Sequence, residues 1–126
     1  MSGWVVVLME PLNPVEIESK IRELSNRIAK GVKVASDLYS EFLAADRVFD
    51  AEFARAYLGA EGSIKDKEQS ARLESMPERE ARDVADAAYR YADRLAKALE
   101  LELRALQSIG ASVRAMYGVA GRGEGA

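Results

Sequence analysis

Apolar residues recur along this chain at alternating steps of three and four, in two long runs parted by a glycine-marked break. The first run is Ile17, Ile21, Leu24, Ile28, Gly31, Ala35, Leu38, Phe42, Ala45, Phe49, Glu52 and Ala56. That spacing keeps one stripe of an α-helix turned to a partner, as in a heptad seam. Val34, Val48 and Phe53 lie beside the seam and widen it. Asn13-Pro14-Val15-Glu16 is a helix start: Asn13 as N-cap, Pro14 at the first helical position and Glu16 three residues after the cap. A helix over 14–58 would be roughly 65 Å long at 1.5 Å per residue. Gly31 leaves two readings. It breaks the helix, or with Ala35 it lets another helix approach closely.

The second run is Val84, Ala88, Tyr91, Leu95, Leu99, Leu103, Leu106, Ile109, Val113 and Met116. Ser75 and Glu78 form a start signal around Pro77, and the helix is expected to reach about Tyr117. Ala98 and Leu101 fall off the stripe, and a stripe that wide fits a helix with more than one partner.

Between the runs, Gly59 follows Tyr57-Leu58 and suits a left-handed C′ position, with Gly62 close behind. Ser63 can cap a short helix over 64–74, with Asp66 answering from three residues on. At the ends, Gly3 to Met9 is β-branched and aromatic, with an extended preference. This arm over 1–12 packs on a helix or a neighbouring subunit, or pairs as a strand with its copy from another chain. Residues 118–126 hold four glycines and read as a flexible tail.

These elements make a single all-α domain over 13–117. The expected form is a long antiparallel helical hairpin with a short connecting helix. Two helices cannot bury two wide stripes on each other, so the hairpin is expected to assemble as an oligomeric bundle or ring. Trp4, Val6, Leu8, Leu99, Leu103, Leu106, Ile109 and Val113 are the expected oligomer-interface residues.

Composition narrows the chemistry. The 126 residues include no cysteine and no histidine. Disulfides, thiolate sites and histidine-based metal sites are therefore excluded. The acidic pairs Glu100/Glu102 and Asp83/Asp86 lack the histidine of a bundle carboxylate site. Gly59 and Gly62 lack the context of a phosphate-binding loop. The expectation is a non-enzymatic protein with no cofactor and no metal. Trp4 to Met9 is too short to span a membrane and lacks the flanks of a signal peptide, so a cytoplasmic location is expected. A net charge of −3 argues mildly against nucleic acid as a partner, although local distribution counts for more than the total.

Two basic clusters stand out. Lys20, Arg22, Arg27, Lys30 and Lys33 face only one acid, Glu23, and Lys20, Arg27 and Lys30 share roughly one helix face. That face is either solvated or a phosphate-contacting patch. The second cluster is Arg55, Lys65, Lys67 and Arg72, near Tyr57. Such cations contact phosphates, and an aromatic stacks on an unpaired base. Asp66, Glu68 and Glu74 are interleaved, so a mixed-charge connector is the other reading. Most of the remaining tyrosines, set among alanines at helical spacing, suit a core or interface.

The layout resembles the UvsY-type recombination mediators of T4-like phages. The matching residues are Ala54-Arg55-Ala56-Tyr57-Leu58-Gly59, then Ile64-Lys65-Asp66-Lys67, then the helix from Tyr89 to Tyr117 with Leu99, Leu103, Leu106, Ile109 and Arg114. The resemblance spans roughly residues 35–117. It implies binding to single-stranded DNA, a ring-like homo-oligomer, and loading of a recombinase onto DNA coated by single-strand binding protein. It carries a DNA-binding role to Arg55, Lys65 and Lys67. The competing expectation is a helical structural or adaptor protein that binds a host or phage protein.

Overall fold

The computed structural model describes residues 13–124, with side chains placed for 13–118. Within that span the protein is all-helical. Helix α1 is Pro14–Gly59, α2 is Ile64–Glu74 and α3 is Met76–Glu124. No strand occurs among the described residues. Trp4, Val6 and Leu8, and with them the arm over 1–12, lie outside these residues.

Helix α1 begins as its sequence dictates. The Asn13 Oδ1 accepts the backbone N–H of Glu16 at 2.9 Å, satisfying one donor that the helix leaves unpaired. The helix passes through Gly31 without a break. All twelve positions of the predicted seam, Glu52 included, are buried or half-buried. As far as Tyr39 the residues beside the seam are exposed; beyond it Leu43, Asp46, Phe53 and Tyr57 are half-buried too, so the covered stripe widens toward the end of α1.

The break between α1 and α2 differs from expectation. Gly59 is the last residue of α1 rather than a left-handed cap. Gly62 carries the positive φ instead, at 108°, a conformation that glycine adopts without steric cost. The Ser63 hydroxyl then accepts the Asp66 N–H, and the Asp66 carboxylate accepts the Ser63 N–H, both at 3.2 Å. This reciprocal capping box starts α2.

Ser75 does not cap α3 with its side chain. It closes α2: both its N–H, at 3.0 Å, and its hydroxyl, at 2.6 Å, donate to the Ala71 carbonyl. Its own carbonyl accepts the Arg79 N–H at 3.0 Å, so one residue joins two helices. Burial explains the choice: Ser75 is 1% exposed, so its hydroxyl needs a partner within reach, and the second lone pair of the Ala71 carbonyl supplies it. At the far end α3 continues to Glu124, past Tyr117, so residues 118–124 are helical where a glycine-rich tail was expected.

Contacts divide the chain into two compact units. The first is Lys30–Ala96. Here a Cβ placed on Gly31 would lie 3.9 Å from the Ala96 Cβ. The Tyr39 and Tyr89 rings lie 5.0 Å apart, and Asp46 pairs with Arg82 at 3.5 Å. Partner numbers fall on α3 as they rise on α1, so the two segments run antiparallel in this unit. Its α1–α3 contact is lined by small residues: Gly31, Ala35, Ala92 and Ala96. Short side chains bring the backbones close, and dispersion then acts between main chains as well as side chains.

That contact corrects the second apolar run. Val84, Tyr91 and Leu95 are exposed, whereas Ala92 and Ala96 are buried and Ala85 and Tyr89 half-buried. The run follows the large side chains, but a partner surface at Gly31 and Ala35 accepts alanine.

The second unit takes the described residues up to Ala29 together with those from Lys97 onward. Its core is conventional: Ile17, Leu24, Leu99 and Val113 are buried. Burial of each such side chain contributes about 1.5–3 kcal/mol. Gly110 faces Ile17 across this core. Ile109 and Met116, placed on the seam by their size, are exposed beside it.

Candidate functional site

Two of the predicted phosphate contacts and two of the predicted interface residues meet in one place. In the unit built from the chain's two ends, Lys20, Glu23, Leu24 and Arg27 of α1 face Glu102, Ala105, Leu106 and Ile109 of α3. They line an open groove of about 520 Å³. Leu24 and Leu106 supply an apolar floor, and the charged residues form the rim. Two cations oppose two carboxylates, so the groove is formally neutral. A second, more polar hollow in this unit is lined by Glu18, Ile21, Arg22, Ser25, Asn26, Gln107 and Arg114.

The sides follow from helix geometry. Lys20 and Arg27 each precede a seam residue of α1, and Glu102, Ala105 and Ile109 each precede a seam residue of α3. In an antiparallel pair, positions one before the seam share one side. The rule matches the lining of the groove.

The other candidates lie in the Lys30–Ala96 unit. Lys30 is exposed there, while Lys20 and Arg27 belong to the unit just described. Arg55 is exposed but donates to the carboxylate of Glu52, which gives the odd seam acid its partner. Tyr57 is half-buried. On α2, Lys65 and Arg72 are exposed and seven residues apart, so they share a face. Lys67 is half-buried and lies four residues before the fully buried Ala71, on the covered face. The second cluster therefore offers Lys65 and Arg72 together, with Arg55 partly neutralised and Lys67 turned inward.

The expected interface residues also divide. Leu99 and Val113 are covered by the chain itself, Leu103 and Leu106 are half-buried, and Ile109 is exposed. Spacing could not reveal Arg82. It pairs with Asp46, and its guanidinium lies 4.6 Å from the centroid of the Phe49 ring. It holds α3 to α1 through a charge and an aromatic face together.

Among the described residues no group of three or more acidic, cysteine or histidine side chains could hold a metal ion. One Glu78 oxygen is buried without a hydrogen-bond partner among the described residues. Among those residues, no helix is long and apolar enough to cross a membrane.

Apolar exposure is the strongest surface signal. Among the described residues sixteen large apolar side chains are exposed, against four larger than alanine in the buried core. Compared with protein-family models, curated proteins and solved structures, the chain finds no match.

Proposed function

We propose that this chain is a non-enzymatic helical assembly protein: a long antiparallel helical hairpin, bridged by α2, that works by packing against another protein surface. One observation carries this reading. Val34 and Val48 of α1 and Val84, Tyr91 and Leu95 of α3 are all exposed, and all precede seam positions of the antiparallel Lys30–Ala96 unit. They therefore form one apolar side of it. Large apolar side chains gathered on one side, rather than scattered singly, are the mark of a surface that packs against another protein.

The chain has no cysteine, which makes a direct test clean. A single cysteine at Tyr91→Cys should form disulfide-linked species under mild oxidation, or capture a partner that presents a thiol. A cysteine at Arg79→Cys, on the opposite side, should not. Equal behaviour at both positions would contradict the proposal.

A second reading, single-stranded DNA binding by a homo-oligomer that helps load a recombinase, draws support from the resemblance to phage mediators. Two placements favour it: Lys20 and Arg27 share one groove, and Lys65 and Arg72 share one face of α2. Contacts this sparse need many copies acting together to give useful affinity. A binding titration at two salt concentrations tests it.

A further inference from the structure

The groove between α1 and α3 opens beside the point where the chain enters α1. Asn13, Lys20 and Arg27 are seven residues apart, almost two full turns each time, so they stand along one side of that helix. Lys20 and Arg27 line the groove, so the segment before Asn13 joins α1 on the groove's own side. The apolar lining of the groove is incompletely covered: Leu106 is half-buried and Ile109 is exposed. Its rim sets Lys20 and Arg27 against Glu23 and Glu102, with no net charge. A phosphate group entering there would meet two carboxylates as well as two cations. An uncharged apolar segment meets no such conflict, and it would cover Leu106 and Ile109. Trp4 to Met9 is such a segment: six apolar residues without a charge, with Val5, Val6 and Val7 giving it an extended preference.

We infer that this groove is the docking site of the chain's own N-terminal arm, with residues 4–10 laid back along α1 after a turn at Pro11-Leu12. Proline suits such a turn. The lengths agree. Extended at about 3.3 Å per residue, Trp4 to Glu10 span about 20 Å. Asn13 to Arg27 is fourteen residues of helix, about 21 Å at 1.5 Å per residue. The tether is two residues long, and a short tether holds a segment at an effective concentration on the order of millimolar. That favours the chain's own arm over the same segment of a second copy at ordinary protein concentrations. The inference goes beyond the assembly reading, which concerns the Lys30–Ala96 unit, and stands or falls separately from it.

Trp4 is the sole tryptophan and the chain has no cysteine, so the tests read single sites. In the full chain, tryptophan emission should be blue-shifted and shielded from acrylamide. Ile109→Asp adds a third carboxylate to the groove at an exposed side chain, so it should keep the parent's helical circular dichroism. Trp4 emission should then move to that of an indole in water, and the shielding should be lost. Leu95→Asp, outside the groove, should leave the Trp4 emission as it is in the parent. Water-like Trp4 emission in the parent overturns the inference, and so does shielding that Leu95→Asp removes and Ile109→Asp leaves intact. A cysteine pair decides whose arm is docked. Ile109 neighbours Gly110, which faces Ile17, so it stands at the end of the groove nearer Asn13. Mild oxidation of the double variant Leu8→Cys/Ile109→Cys should close a disulfide within one chain. A disulfide-linked dimer instead would overturn the inference and assign the groove to the arm of a second copy.

Discussion

Gly110 of α3 sits so close to Ile17 of α1 that a Cβ on the glycine would lie 3.0 Å from the Ile17 Cγ2. Ile17 is 1% exposed, and its branched Cβ leaves one favoured rotamer in a helix. The methyl cannot swing away. Gly110→Ala should therefore destabilise the fold despite alanine's better helix propensity. Overpacking costs about 1–3 kcal/mol, against about 1 kcal/mol gained from the backbone. Gly31 is the contrast. There the new Cβ would meet Ala96 at 3.9 Å, an ordinary contact. Gly31→Ala should stabilise by about 0.5–1 kcal/mol. Urea unfolding of both variants checks the pair, and the signs should be opposite.

The turn into α2 should be as sensitive. At Gly62 the backbone is left-handed, and a Cβ would meet the Asp66 Oδ2 at 2.8 Å. Gly62→Ala should cost about 1–2 kcal/mol from backbone conformation alone. Ser63→Ala, which removes only the cap, should cost about 1 kcal/mol. Thermal melts ordered parent, Ser63→Ala, Gly62→Ala would agree with this account. A Gly62→Ala melt equal to the parent's would not.

Arg82 is expected to matter more than any other surface cation. It is about three-quarters covered, pairs with Asp46 and lies over the Phe49 ring. Arg82→Ala should cost about 1–2 kcal/mol, mostly from the cation–π contact, since a partly exposed ion pair adds little. Lys33→Ala removes a fully solvated pair and should change stability by less than about 0.5 kcal/mol. Chemical denaturation of the two side by side separates a clasp between helices from a bond along one helix.

Under the single-strand DNA reading, affinity should fall steeply with salt. The double variant Lys20→Ala/Arg27→Ala should lower the slope of log affinity against log salt by about 1.4, since each phosphate contact on a single strand adds about 0.7. Arg55→Ala should have less effect, because its guanidinium already engages Glu52. Fluorescence anisotropy with a labelled oligonucleotide measures both. Affinity indifferent to salt would remove this reading.

How legible the protein was depends on which force acted at each position. All twelve α1 seam positions were readable, because a regular period with moderate-sized side chains is what burial needs, but its flank was not: Val34 and Val48 are exposed, while Leu43, Asp46 and Tyr57 are half-buried beside it. The Ser63–Asp66 box was readable too, since capping is a local bond between named residue types. The α3 seam was readable at Leu99, Leu103, Leu106 and Val113, which are covered, and misread N-terminal to them. Size pointed to Val84, Tyr91 and Leu95, but the facing surface at Gly31 and Ala35 selected Ala92 and Ala96. Only the register between two helices reveals that, and a single chain's periodicity carries no register. The same limit hid the meeting of Lys20 and Arg27 with Glu102 and Ile109, and the Arg82 clasp. Ser75 misled because its residue type suits both ends of a helix, and burial, not sequence, decided which it serves.

The central expectation is that the chain assembles through the side bearing Tyr91 and Leu95. The mass of the intact chain in solution, measured by light scattering across a dilution series, tests that most directly. The expected result is a multiple of 13.8 kDa for the parent, falling toward 13.8 kDa when Leu95 is replaced by Glu. A parent mass of 13.8 kDa at every concentration would contradict it.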